Sequence, residues 1–245
     1  MALLEARSIR MRFGGNLVLD EVHFHAEPGR ITGLIGPNGA GKTTLFNIMS
    51  GLQSPTAGRV VFDDRDITKL GPSKRARLGI GRTFQRLEMF DHLSVRENVR
   101  VAAEFRRSWA RDKSDPIKVT DEVLDRIGIR SVADARVDSL PTGLCRLVEL
   151  ARAIAIRPRL LLLDEPASGQ DESETERFAT MLRGLAAEGC AVVLVEHDMR
   201  LVMDVCEELH VLDLGRVVAV GTPAEIQAHP HVLAAYLGSD MGGAA

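Results

Sequence analysis

Short apolar runs alternate with helical periodicities along the chain, the pattern of an α/β fold around a mostly parallel sheet. Residues 3–9 and 17–24 read as two strands joined by a Gly14-Gly15 turn. ITGLI (31–35) reads as a buried strand, followed by a glycine-rich loop and a helix from about Lys42 to Ser50. Residues 58–62 predict a further strand closed by an Asp63-Asp64 turn. From about Phe84 to Arg157 the texture turns helical. Ser94-Val95-Arg96-Glu97 has capping-box spacing ahead of an apolar face of Val95, Val99, Ala102 and Phe105. Arg106 to Lys118 reads as a polar surface excursion ending in Asp115-Pro116. Strands return at 160–163, 191–195 and 209–212, then a hairpin turning at Gly215-Arg216 and a helix opened by Thr222-Pro223-Ala224-Glu225.

Length fits one large α/β domain, residues 1–245, with a core of 1–83 and 158–245 and a helical subdomain inserted at about 84–157. With 45% apolar residues, 27% charged residues and a net charge of −3, the chain lacks the basic excess of nucleic-acid modules, so no nucleic-acid partner is expected. No apolar run approaches the roughly 18 residues of a membrane span, and MALLEARSIRMRF lacks a signal-peptide pattern. Cys145, Cys190 and Cys206 are odd in number and not at metal spacing, which suits a reducing cytoplasm. Any membrane role therefore comes through a partner.

GPNGAGKTT (36–44) matches G-x-x-x-x-G-K-[ST] between a predicted strand and a predicted helix. Gly36, Gly39 and Gly41 let the backbone curl around phosphate oxygens, with Pro37, Asn38 and Ala40 in the same loop. Thr44 continues into a helix whose N-terminus favours anions. Lys42 supplies charge to the β- and γ-phosphates and Thr43 a hydroxyl to Mg²⁺. This motif indicates ATP-type nucleotide binding without saying what the nucleotide powers. In LLLLDEP (160–166), a continuous apolar strand ends in Asp164, placed to hold Mg²⁺ through water, and Glu165, placed to activate an attacking water.

Four further features narrow the class: Gln85 in RTFQ, His197 in VLVEHD, Phe13 ahead of the phosphate loop, and SLPTGLCRLVELARA before the acidic strand. Individually, Phe13 reads equally as a core aromatic, His197 as a structural strand-end residue and Gln85 as a loop residue. Together, in this order and spacing, they resemble the ABC ATPase family over essentially the whole chain. The resemblance implies a P-loop NTPase cassette with a RecA-like core, an antiparallel β subdomain and an inserted α-helical subdomain. It assigns Phe13 to adenine stacking, Gln85 to Mg²⁺ sensing and permease coupling, and His197 to the γ-phosphate. It assigns Ser168–Asp171 to a dimer-contact loop and Leu140, Pro141, Thr142, Gly143 and Leu144 to the signature presented to a second cassette's ATP. RFGG (12–15), GIGRTFQ (79–85), the MF and LSVRENV segments (89–99) and HPHVLAAYLG (229–238) resemble ATPases of branched-chain amino-acid importers. Urea and amide importers share this cassette type and the ATPase of lipopolysaccharide transport has a comparable ending; the alternative is a soluble non-transport ABC ATPase or a regulatory cassette with little turnover. Partners implied are transmembrane permeases, a second cassette and, indirectly, an extracytoplasmic solute-binding protein. The implied location is the cytoplasmic face of the membrane. The stretch Arg86–Leu93 suits either a groove for a permease helix or an ordinary contact between lobes.

One departure accompanies the resemblance. The usual signature is LSGGQ; here Pro141 stands for its serine and Leu144 for its glutamine. Proline offers neither hydroxyl nor N–H, although Gly143 is kept and Thr142 brings a hydroxyl. The departure is either a working variant, with proline favourable at a helix start, or the mark of an unequal pair of cassettes.

Overall fold

The computed structural model describes residues 1–84, 88–110, 113–167 and 171–230. Strands β1 (Leu4–Phe13), β2 (Asn16–Ala26) and β3 (Ile31–Ile35) lead into helix α1 (Lys42–Ser50). Next come β4 (Ala57–Phe62), β5 (Arg65–Asp66), α2 (Pro72–Leu78) and β6 (Ile80–Arg82). Helices α3 (Val95–Ala110), α4 (Pro116–Ile127) and α5 (Thr142–Ala155) follow. The remainder is β7 (Leu160–Asp164), α6 (Glu172–Ala187), β8 (Ala191–Val195), α7 (Met199–Val205), β9 (Glu208–Asp213), β10 (Arg216–Gly221) and α8 (Pro223–Gln227).

The strands form two sheets, one ordered β2-β1-β4-β5 and the other β10-β9-β3-β8-β7-β6. The first is antiparallel; in the second, β9, β3, β8, β7 and β6 run parallel and β10 antiparallel. The largely apolar runs at β3, β7 and β8 are explained by burial on both faces. Ile31, Ile35, Leu161, Leu163, Val192 and Leu194 enter a core shared with α3 to α7. Leu34, Leu160, Leu162, Val193 and Val195 enter a second core shared with the antiparallel sheet and α1. Each such side chain contributes about 1.5–3 kcal/mol on full burial, so the sheet centre is firmly held from both faces. Parallel pairing brings the C-terminal ends of β3, β7 and β8 to one edge, with Asp164 beside Val195.

Both expected caps are present. Ser94 Oγ accepts from the Glu97 N–H while the Glu97 carboxylate accepts from the Ser94 N–H, and Thr222 and Glu225 do the same at α8. Asp63 and Asp64 both take positive φ at the β4–β5 turn.

Several expectations are corrected. The turn before β10 is Leu214-Gly215, with Arg216 already paired to Asp213. Helix α3 continues through Ala110 rather than breaking at Arg106, helped by the stacked Phe105 and Trp109 rings and by Arg106 donating to the Ile156 carbonyl at 2.6 Å. Its buried face carries Val95, Val99 and Ala103, whereas Phe105 is 57% exposed. Neither β6 nor α2 was anticipated. Helix α2 reads as polar, but its Arg75 is buried and donates to the carbonyls of Ile48, Met49, Ile67, Thr68 and Leu70 at 2.7–3.1 Å. One guanidinium thus closes the end of α1 and anchors α2; burial lowers its pKa to about 10. Between β6 and β7 the described elements are helices and 3₁₀ turns, apart from a single bridge between Ser94 and Arg136. No described helix is long and apolar enough to cross a membrane.

Candidate functional site

The loop 36–41 leaves the buried end of β3 and enters α1. A Cβ on Gly36 would lie 2.0 Å from the Leu212 carbonyl oxygen, and one on Gly41, at φ 107°, 2.7 Å from Leu19 Cδ2. Only glycine lets the loop close this tightly against β2 and β9. Gly41 is the N-cap of α1 and supplies no side-chain hydrogen bond, so the first-turn N–H groups receive no cap from within the chain. That is the donor arrangement a phosphate chain requires. Lys42 is buried, with Nζ donating to the carbonyls of Gly36 at 2.6 Å and Pro37 at 3.0 Å. Burial pushes its pKa down, opposed by the charges of Glu165 and Asp164. Asn38, Gly39 and Thr43 are exposed along the rim, Pro37 and Thr44 are half-buried, and Ala40 is buried against the core.

Asp164 closes β7 and is 2% exposed. Burial raises its pKa, with Arg82 and Lys42 opposing. Arg82 reaches it at 3.4 Å, anchors on Asn47 Oδ1 and Ser50 Oγ, and lies over the Phe46 and Phe84 rings. Glu165 takes φ 50°, a left-handed conformation costing of order 1 kcal/mol for a residue with a Cβ. Its N–H donates to the Val195 carbonyl at 2.8 Å, and its own carbonyl accepts from Arg146 Nη1 at 3.1 Å. This strained backbone directs Oε1 to within 3.0 Å of His197 Nε2. The carboxylate and the imidazole, 32 positions apart in sequence, thus meet over the strand ends next to Lys42.

Sequence reasoning missed two carboxylates that hold this arrangement. Buried Glu196 accepts from the N–H groups of Ala167 at 2.7 Å and His197 at 3.0 Å, tying together the loops after β7 and β8; burial raises its pKa. Buried Glu149 on α5 accepts from the Phe84 N–H at 2.9 Å, and burial pushes its pKa up to about 7. The available signal was an acid on the apolar face of α5, between Val148 and Leu150.

Phe13 ends β1 at 46% exposure, which removes it from the core. Gln85 and Ser168–Gln170 lie outside the described residues; Asp171 caps α6 in a capping box. The segment 231–238 of the C-terminal resemblance also lies outside them. Leu140 and Gly143 are half-buried at the start of α5, Pro141 and Thr142 are exposed, and Pro141 is an N-cap without a side-chain bond. Among the described residues, no hydrogen bond joins 140–143 to the phosphate loop, Asp164, Glu165 or His197. The acids and the lysine form one centre, and Pro141 and Thr142 are exposed at the start of α5, whose Arg146 touches that centre through the Glu165 carbonyl.

A Mg²⁺ ion fits the hard oxygen donors here, the Thr43 hydroxyl at the head of α1 and the Asp164 carboxylate at the end of β7.

Comparison with known proteins agrees with this geometry. The family "ABC transporter" matches residues 19–168, and "Branched-chain amino acid ATP-binding cassette transporter" matches residues 216–241. The chain is 36% identical to the high-affinity branched-chain amino acid transport ATP-binding protein LivG of Escherichia coli (strain K12), covering 96% of this chain and 98% of LivG. It is 35% identical to the lipopolysaccharide export system ATP-binding protein LptB of the same organism, covering 98% and 99%. A crystal structure of a nucleotide-free ATP-binding cassette from an ABC transporter superposes with a TM-score of 0.86 at 27% identity, covering 96% of this chain and 99% of that one. A dimeric post-hydrolysis cassette bound to ADP and phosphate superposes at 0.81 with 26% identity, covering 90% and 98%. The chain belongs to the ABC transporter ATP-binding family and is an ATP-binding, ATP-hydrolysing cassette of the kind that drives transport.

Proposed function

We propose that this cassette powers an importer of branched-chain amino acids or a related small polar solute, bound to permease subunits at the cytoplasmic face of the membrane. The observation that carries the solute class is the match of residues 216–241 to the branched-chain cassette family, beside 36% identity to LivG. Similarity to LptB supports a second reading, lipopolysaccharide export.

In the proposed roles, Phe13 stacks on adenine from its exposed place at the end of β1. Residues 36–44 hold the phosphates through backbone N–H groups, and Lys42 turns from its own loop carbonyls to the β- and γ-oxygens. Thr43, Asp164 and Gln85 hold Mg²⁺, which would neutralise charge on the phosphates when bound. Glu165 takes the proton of the attacking water, while His197, 3.0 Å away, orients that carboxylate and reaches the γ-phosphate. The lobes divide as residues 1–83 with 158–245, and 84–157.

Leu140–Gly143 serve a second cassette's ATP, a role that the exposure of Pro141 and Thr142 at the start of α5 supports. With Pro141 and Leu144 in place of serine and glutamine, this chain offers a weakened surface while it keeps its own phosphate loop, Glu165 and His197. The working pair is therefore unequal, with a different cassette as partner. The permease helix docks in a groove of about 580 Å³ lined by Leu52, Ala76, Phe84, Phe90, Phe105 and Trp109. Exposed Phe90 and Phe105 favour docking over a closed contact between lobes.

The test is uptake of labelled leucine, isoleucine and valine by cells with and without the gene, complemented by the wild type or by Lys42→Ala. Uptake lost on deletion and restored only by the wild type is expected. Unchanged uptake with a failing outer-membrane barrier would transfer the assignment to lipopolysaccharide export.

A further inference from the structure

Far along the sheet from the phosphate loop, three potential ligands meet where the two sheets abut. Glu208 begins β9 and pairs with Thr32 at the opposite end of β3 from Gly36. His210 lies two residues on, on the same face of β9, and His25 comes from the end of β2 in the other sheet. His25 Nε2 lies 2.9 Å and His210 Nε2 3.1 Å from the same oxygen, Glu208 Oε1. The three ligand atoms all fall within 4.8 Å of one another.

We propose that His25, Glu208 and His210 form a binding site for a divalent transition metal of the Zn²⁺ class. Ligand atoms about 2.0–2.2 Å from a common ion lie roughly 3–3.5 Å apart, the spacing already present between each imidazole and the carboxylate. Two imidazoles with one carboxylate suit Zn²⁺, Co²⁺ or Ni²⁺ and discriminate against Mg²⁺, which takes oxygen donors.

One further observation favours an ion: His25 and His210 line a cleft of about 680 Å³ shared with Glu5, Asp20 and His23, which leaves room for water to complete the coordination. The side chains bridge β2 and β9, so an ion here clamps the antiparallel sheet to the parallel one. It would stabilise the folded chain by linkage.

The test uses the tag-free full chain, stripped with chelator. Zn²⁺ is titrated calorimetrically, Co²⁺ by its visible absorption, and thermal unfolding is followed with and without Zn²⁺. One ion per chain is expected, with a rise in Tm. Loss of an outer-shell partner alone costs metal sites roughly 10–100-fold in affinity, so His25→Ala and Glu208→Gln should each weaken binding by at least about a hundredfold and abolish the Tm shift. His23→Ala, in the same cleft but not a ligand, should leave both unchanged. Absence of saturable binding by the wild type overturns the proposal. So does binding that survives both ligand substitutions in folded variants.

Discussion

Helices α1 and α5 both begin without a side-chain cap, but the segments leading into them differ in kind. Ahead of α1, glycines are packed so tightly that a Cβ at Gly36 would collide with the Leu212 carbonyl, and a buried lysine follows. Ahead of α5 stands Pro141, exposed, with no N–H to give, followed by Thr142 and by Gly143, whose side-chain position is open space. The first terminus is preorganised by its own fold; in the proposed roles it holds this chain's nucleotide, and the second presents a helix dipole and little else to a partner cassette. A helix end supplies the general attraction for phosphate; the side chains around it decide how much of that attraction is specific to the transition state.

The most severe way to break the contrast is to remove the chemistry on the intact side. Glu165→Gln keeps the loop, Lys42 and the contact reach of the side chain but loses the group proposed as the base. ATP turnover should fall by roughly 10²–10⁴, with nucleotide binding retained in equilibrium dialysis. Turnover near that of wild type would assign the base to another group.

Glu149 gives a smaller effect, on the framework that both regions share. Its pKa of about 7, against an ordinary 4.5, arises chiefly from burial. Between these values the folded chain keeps a proton that the unfolded chain has released, so stability is lost as pH rises through the window. Glu149→Gln retains an acceptor for the Phe84 N–H and cannot ionise. Above pH 7 the variant should be more stable in urea than the wild type, by up to about 3 kcal/mol. The difference should shrink toward pH 4.5. A difference independent of pH would mean that the Glu149 carboxyl carries no raised pKa.

The phosphate loop, the acidic strand end and both capping boxes were legible because each is local: spacing within a few residues fixes the backbone. Strand β6, three residues long, and α2, seven residues of which four are polar, are too short to carry a periodicity. Arg75 explains α2 only once its five carbonyl partners, up to 27 positions away, are known. Phe105 was assigned to the core by helical spacing, yet lies on the groove side because Ala103 takes the buried position. The Glu165–His197 contact, the Glu149–Phe84 bond and the Glu196 bridge all join distant segments through parallel strand ends. Residue types suggested some of these partners; only the sheet order brings them together.

The contrast between the two helix starts is tested most directly by repairing the weaker one. On the proposed roles, a purified chain paired with itself would carry the altered surface at both composite sites. One missing charge-assisted hydrogen bond is worth about 1.5–3 kcal/mol, or roughly ten- to a hundredfold in rate. ATPase activity of the self-paired Pro141→Ser, Leu144→Gln variant should therefore rise by about that factor over wild type. A correctly folded double variant with no rise would contradict the account, making the α5 start of this chain a fully working surface.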